Sequence, residues 1–407
     1  MGQTDLMGPP PLPLEQAQAR LLALATPLTI EQVDVASALG RYLAAPLVAA
    51  RTQPPADLSA MDGYAMVSGD LAGPWQVIGE SAAGHPYRGS LARGQAVRIS
   101  TGALLPADAG AVIVQEDLFR NEDRLTLTGT PPSPEQKHIR RMGMDFSGGA
   151  VLLEAGARIG PAHVALALSA GHSHLAVRRK ARIAIIDSGD ELAADPRHCA
   201  VHQIPASNGA MLAALVSALP CEITRIGPVG DDLAQLAQAL AQAAGADVIV
   251  TSGGASVGDH DLIRPALEAW GASLDFWKVA IKPGKPLLVA SKEAQIVLGL
   301  PGNPVSNHVT AFFFLLPLIR ALAGSENPLP KAVTAQLSGR MSAGGDRREF
   351  LRGVWDGSMV SPDVIQDSGA LAALARSNAL IERPPAAAAA EAGSTVRIYL
   401  LENGGIA

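Results

Sequence analysis

From about Arg182 the chain alternates short apolar runs of strand character with runs of helical period, and this alternation limits the possible folds more than any other feature. RIAII (182–186), EITRIG (222–227) and DVIVTS (247–252) have the length and β-branched content of strands. SNGAMLAALVSAL (207–219) and DDLAQLAQALAQAA (231–244) repeat apolar residues at three- and four-residue spacing, which predicts helices. Strands that alternate with helices predict a parallel sheet with crossover helices. The pattern continues through a helix at HDLIRPALEAW (260–270), β-type runs WKVAIK (277–282) and PLLVA (286–290), the strand QIVLGL (295–300), and a long apolar helix from about Val305 to Ala323. A doubly wound α/β domain over about 178–326 is the expectation.

With 407 residues the chain exceeds what one core holds, so further domains are expected. EQAQARLLALA (15–25) and TIEQVDVASALGRYLAAPL (29–47) read as amphipathic helices, with Thr29 and Gln32 resembling a capping box. WQVIGE, QAVRIS, AVIVQE and RLTLTG, separated by Gly, Pro and Asp, read as short strands. KAVTAQLSG, EFLRGVWD and STVRIYLL form a last β group. The predicted fold class is multidomain α/β plus β: a tail and helical subdomain (1–52), a β-rich subdomain (53–135), a return to the helical subdomain (136–177), the doubly wound domain (178–326) and a small C-terminal β-barrel-like domain (327–407).

Charge and composition exclude several functions. A net charge of -6 gives no general attraction for nucleic acid or an acidic membrane surface, so an anionic ligand needs a local set of donors. Aromatic residues at 4% provide no base-stacking platform. Cys199 and Cys221 form neither a zinc spacing nor a disulfide framework, which fits a reducing cytoplasm. The N-terminus has no signal-peptide pattern, and the apolar run Val309–Ile319 is shorter than the roughly 20 residues of a bilayer span, so no membrane association is expected.

In open α/β sheets ligands bind beyond the carboxyl ends of the strands. Three unusual loops fall there: DSGDEL (Asp187 to Leu192), TSGGASVGDHD (Thr251 to Asp261) and PGNPVS (Pro301 to Ser306). Their glycines let backbone N–H groups approach an anion, and the following helix starts favour phosphate or oxyanions. Any one such loop is more often only a turn; three at strand ends can make one cradle. Neither the P-loop nor the dinucleotide pattern is present. IKPGKPLL (281–288) sets Lys282 and Lys285 around a Pro-Gly turn, and ammonium groups suit compact oxyanions, although a solvated basic turn is the plainer reading of the tetrapeptide alone. Glu191, Asp231, Asp232, Asp259 and Asp261 would repel phosphate without an intervening cation, which points to Mg²⁺. For Asp231 a helix cap is the equal alternative. GASVG (254–258) with His308 downstream also fits a serine-hydrolase elbow, but DHD follows where a packing helix should begin and no oxyanion loop is present.

SGDEL, SNGAML, DVIVTSGGASVGDHD, IKPGKP and GLPGNPVSNHV, in this order, resemble the molybdopterin-binding domain of the MoeA/gephyrin family. SAMDGYAM (59–66), STGALLP (100–106), the Gly143–Asp145 segment, RREFLRG (347–353) and QDSGALAALARSNALI (366–381) resemble the outer domains of MoeA. The resemblance implies a homodimer whose site is completed by the neighbouring subunit. It also implies a molybdopterin molybdenumtransferase, which converts adenylylated molybdopterin and molybdate to molybdenum cofactor and AMP with a divalent cation. Further implied partners are a molybdopterin adenylyltransferase and client molybdoenzymes. A carrier that binds the cofactor without inserting metal, or a paralogue devoted to one client molybdoenzyme, is the alternative.

By the same resemblance, Lys282, Lys285, Ser306, Arg347 and Ser368 would hold molybdate. Glu191, Asp231 and Asp261 would serve the metal, and Asp62, Thr101 and Asp145 would complete the cleft. Ser188, Gly189, Asp190, Asn208, Ser252, Gly253, Gly254, Ser256, Gly258, Pro301, Gly302 and Asn303 would bind the pterin substrate. The chain departs from the family at Asp108, Ala109 and Gly110, where the pattern has its carboxylate two positions later, and at Ser188 and Met144.

Overall fold

The structure is a computed structural model that describes residues 10–253 and 262–401. The strand Ala181–Ser188 lies inside a six-stranded sheet in the order Cys221–Val229, Ala181–Ser188, Val248–Ser252, Gln295–Leu300, Leu288–Lys292, Ser273–Trp277. Side chains alternate across a strand. Ile183 and Ile185 therefore pack with Leu212, Val216, Val305 and Val309 on one face, while Ala184 and Ile186 pack with Leu236, Leu240, Ile263 and Leu267 on the other. A layer of helices covers each face of the sheet.

The sheet is not wholly parallel. Its first four strands are, but Leu288–Lys292 runs antiparallel to Gln295–Leu300, and Ser273–Trp277 antiparallel to Leu288–Lys292. Two residues separate Lys292 from Gln295, with Glu293 at φ 52°, so this connection is a hairpin with no room for a crossover helix.

The apolar helix is continuous over Pro304–Leu322. Although long and apolar enough to cross a membrane, it is enclosed between the sheet and its neighbours, as a core helix would be. Its middle, Ala311–Leu315, is a π segment. Pro317 has no N–H to offer the carbonyl of Phe313, one turn back. Gln18 Nε2, from the helix Leu14–Leu24, donates to that carbonyl at 2.9 Å. The N-terminal helix thus packs against the α/β layer with Leu14, Ala17 and Leu21 in its core.

The C-terminal strands close a barrel in which Arg348–Trp355 pairs with both Met359–Pro362 and Ala379–Arg383, and Val333–Leu337 and Thr395–Leu400 complete the ring. Phe350 and Tyr399 of the barrel stack on Phe313 of the long helix, with ring centroids 4.2 and 4.9 Å away. This aromatic contact seats the barrel on the long helix. The two-residue strand Ile281–Lys282 continues the barrel by pairing with Arg348 and Glu349.

A third six-stranded sheet joins Ala109–Val114, Gly63–Val67, Gln95–Ile99, Trp75–Ser81, Arg124–Leu127 and Leu118–Asn121. The helix expected over 29–47 is not formed. Ile30–Asp34 is a strand paired with His174–Arg178, and only Val35–Ala38 turns into a short 3₁₀ segment. Tertiary pairing overrides the spacing here: Thr29 begins no helix, and its carbonyl accepts the Arg179 N–H at 2.9 Å. The later half of the region returns to the first, since Val151–Leu153 pairs with Leu47–Val48.

Candidate active site

The carboxyl ends of the parallel strands bring the predicted loops into contact. Gly253 lies so near Ser188 that a Cβ on it would come within 2.5 Å of the Ser188 carbonyl, and its φ of 105° also favours glycine. Gly302 approaches Gly253, and Asn208 Nδ2 donates to the Gly302 carbonyl at 2.6 Å. Asn307 binds both neighbours, donating to Ser252 Oγ at 3.1 Å and to the Pro301 carbonyl at 3.0 Å. Asn307 was not a sequence candidate; its only sequence signal is its place directly after Ser306. Gly254, Ser256, Gly258 and Asp261 lie outside the described residues.

Asp187 ends the first strand, buried, with Oδ1 accepting the Gly209 N–H at 2.8 Å. Burial pushes its carboxyl above the ordinary aspartate range, against the Gly209 hydrogen bond and the Arg225 guanidinium 3.4 Å away. It orients the start of the helix Asn208–Val216 and so carries Asn208 to Gly302.

An acidic corner stands next to it. Asp231 N donates to Asp190 Oδ1 at 3.0 Å and Asp190 N to Asp231 Oδ2 at 3.4 Å, so the two loops clasp each other through their own backbones. The Glu191 carboxylate folds back over Gly189, where a Cβ would lie 2.4 Å from its Oε2. Asp232, not Asp231, caps the helix Leu233–Gln242 by accepting the Gln235 N–H at 2.9 Å. That leaves Asp231 free of the capping role. Among the described residues, Asp190, Glu191 and Asp231 have no ion-pair partner, and no group of three His, Cys, Asp or Glu is close enough to hold a metal by itself. Hard carboxylate oxygens without a counter-charge fit a hard divalent cation, and Asp261 is the further candidate ligand outside the described residues.

The basic side of the site is built by the barrel contact. Gly284, between the two lysines, packs against the long helix: a Cβ there would meet Thr310 Cγ2 at 2.6 Å, with the Ser306 carbonyl at 3.5 Å. Lys282 Nζ pairs with Glu349 Oε1 at 2.9 Å, and Lys285 has no ion-pair partner among the described residues. Arg347 Nη1 donates to the Ile281 carbonyl at 3.3 Å, which keeps it beside the lysine turn. From the loop after Met359–Pro362 Ser368 reaches the PGNPVS loop: its Oγ accepts from Asn303 Nδ2 at 3.0 Å, and its carbonyl accepts the Val305 N–H at 3.1 Å. Lys282, Lys285, Ser306, Arg347 and Ser368 are therefore grouped at one junction between the sheet, the long helix and the barrel.

Asp62, Thr101 and Asp145 are not joined to this junction within the subunit; no hydrogen bond or ion pair among the described residues links them to it. Asp62 Oδ1 accepts from Thr101 N at 2.7 Å and Thr101 Oγ1 at 3.0 Å, and these bonds hold its carboxyl below the ordinary range. The Asp145 N–H donates to the Gln53 carbonyl. The departure at 108–110 has a steric basis: a Cβ on Gly110 would lie 2.6 Å from Ser68 Cβ, so the position admits no carboxylate side chain as packed. His308, the downstream histidine of the hydrolase pattern, is buried on the long helix, its Nδ1 has no partner among the described residues, and burial pushes its imidazole down to about 4.

Three family descriptions match consecutive parts of the chain: "MoeA N-terminal region (domain I and II)" over 12–171, "Probable molybdopterin binding domain" over 184–321, and "MoeA C-terminal region (domain IV)" over 334–401. The molybdopterin molybdenumtransferase of Haemophilus influenzae is 34% identical over 397 residues, covering 95% of this chain and 98% of that protein. The one from a Nostoc species is also 34% identical, over 87% of this chain and 85% of that protein. In structure the chain resembles the molybdopterin biosynthesis MoeA protein of Pyrococcus horikoshii OT3, with a TM-score of 0.83 at 27% identity, covering 96% of this chain and all (100%) of that one. Matched along its whole length in sequence and in architecture, the chain belongs to the MoeA family, the molybdopterin molybdenumtransferases.

Proposed function

We propose that this protein takes adenylylated molybdopterin and molybdate and yields molybdenum cofactor and AMP. The observation that carries this reading is the junction that gathers Lys282, Lys285 and Arg347 with Ser306 and Ser368, opposite the acidic corner of Asp190, Glu191 and Asp231. The cationic side suits a compact oxyanion, with the serine hydroxyls as additional donors. The glycine loops allow backbone N–H groups to approach the pterin phosphate. Cleavage of the phosphoanhydride develops negative charge, and most of its catalysis is positioning and charge stabilisation. Mg²⁺, held by Glu191 and Asp231 with Asp190 beside them and Asp261 as a further ligand, would supply the charge that lets phosphate approach these carboxylates.

In this reading the protein works in the cytoplasm as a homodimer, and Asp62, Thr101 and Asp145 reach the junction from the neighbouring subunit. That no hydrogen bond or ion pair among the described residues ties them to the junction supports that arrangement. A molybdopterin adenylyltransferase would supply the substrate, and molybdoenzymes would receive the product. The experiment is AMP release from adenylylated molybdopterin with Mg²⁺, with and without molybdate. Molybdate-dependent release together with active cofactor supports the transferase; tight pterin binding without release would replace it with the carrier.

A further inference from the structure

The loop that delivers Ser368 to the PGNPVS turn is not held by packing. Val364 and Ile365 at its tip point to solvent, with 93% and 48% of their surface exposed. Its start is held by the Asp363–Arg376 ion pair, and its middle by Arg352, which is fully buried at 0% exposure in the barrel wall. Arg352 Nη2 donates to the carbonyls of Ile365 at 2.8 Å and Asp367 at 3.0 Å, on either side of Gln366. Gln366 closes the clamp from the loop side: its Oε1 accepts the Arg352 N–H at 3.0 Å, and its Nε2 donates to the carbonyls of Arg352 at 2.9 Å and Asp363 at 2.8 Å. Directly beyond the clamped Asp367, Ser368 makes its two bonds to Asn303 and Val305.

We infer that Arg352 and Gln366 form a positioning device that fixes Ser368 against the start of the long helix and thereby sets the oxyanion side of the site. This rests on the transferase reading and extends it to residues set in the barrel wall and the loop behind Ser368. A guanidinium in this place is costly: its Nε and Nη1 have no partner among the described residues, and burial disfavours its charged form. Among the described residues its side-chain hydrogen bonds run to the carbonyls of this one loop. The charge of a desolvated guanidinium strengthens such bonds over those of a neutral donor, which suits a loop with little packing of its own. Gln366 is the complementary half: its Oε1 takes the Arg352 N–H, and its Nε2 shares the Arg352 carbonyl with the Asp363 N–H.

The test uses the full chain carrying Gln366→Ala, Ser368→Ala, both together, and separately Arg352→Lys. Two quantities are read: amide hydrogen exchange at Val305, whose N–H donates to Ser368, and the molybdate concentration at half-maximal AMP release. Gln366→Ala is expected to speed Val305 exchange about tenfold and raise the half-saturating molybdate about tenfold, with kcat at saturating molybdate and pterin affinity within about twofold of wild type. The double variant should need no more molybdate than Ser368→Ala alone, because both changes act through one side chain. Arg352→Lys keeps the charge but not the fork, so it should match or exceed Gln366→Ala; if it does not fold, Gln366→Ala still decides. Unchanged Val305 exchange, an unchanged molybdate requirement, or additive effects in the double variant would overturn the inference. Should wild type show no molybdate-dependent release, the transferase reading fails, and Val305 exchange with direct molybdate binding to the same variants judges the clamp alone.

Discussion

Lys282 and Glu349 form an ion pair, Nζ to Oε1 at 2.9 Å, across the seam where the α/β layer meets the barrel. One of the two lysines of the basic turn is thus partly neutralised by a residue 67 positions away, while Lys285 carries its charge unpaired among the described residues. Glu349→Gln should release Lys282 for an incoming oxyanion. Because the Lys282 side chain is 56% exposed, the gain is limited to roughly 1 kcal/mol, about a fivefold fall in the half-saturating molybdate concentration. A molybdate titration of AMP release reads this directly, and a rise would mean that Glu349 helps to hold the lysine in place.

The division of labour between Asp231 and Asp232 separates cation binding from folding. Asp231→Asn should raise the Mg²⁺ concentration at half-maximal AMP release by about tenfold or more and leave the unfolding midpoint unchanged, since that side chain caps no helix. Asp232→Ala should do the reverse, costing about 1 kcal/mol of stability through loss of the cap with little effect on Mg²⁺ dependence. The same outcome for both variants would contradict the assignment.

At the opposite end of the sheet Asp247 takes both arms of the Arg179 guanidinium, at 2.6 and 2.7 Å, and the Arg182 N–H at 2.7 Å. Burial works against its ionisation, but the Arg179 and Arg182 contacts outweigh it and hold the carboxyl below the ordinary aspartate range. A depressed native value means that its stabilisation is present above the unfolded-state pKa and is lost as pH falls through the native one. Asp247→Asn should therefore cost about 1.5–3 kcal/mol at neutral pH, with the difference from wild type shrinking as the solution is acidified below about pH 4. Urea unfolding at a series of pH values measures it; a gap that stayed constant into acid would show that the charge is not the source.

Gln18 supplies the hydrogen bond that Pro317 cannot give to Phe313. Gln18→Leu fills much the same space but leaves that buried carbonyl without this donor, so the loss should be about 1–3 kcal/mol in denaturant unfolding. No loss on this substitution would mean that the Phe313 carbonyl is satisfied within the π segment.

Local signals in the sequence determined the main layer of this protein. Strand and helix periods and the lysine turn are properties of a few neighbouring residues, and over 182–252 and 295–322 the elements stand where those periods place them. Over 29–47 a helical spacing lost to pairing with a distant partner, His174–Arg178. The antiparallel edge of the sheet has a local cause, since the two residues between Lys292 and Gln295 could not hold a crossover. The tertiary structure alone decided that Asp231 faces Asp190 while Asp232 caps, that Glu349 offsets Lys282, that Gln18 completes a helix 295 residues away, and that Arg352 carries Ser368 to the site. Periodicity reports which face of an element is buried. It holds no information on which remote donor meets which acceptor, because that is fixed only when the barrel and the N-terminal helix close on the long helix.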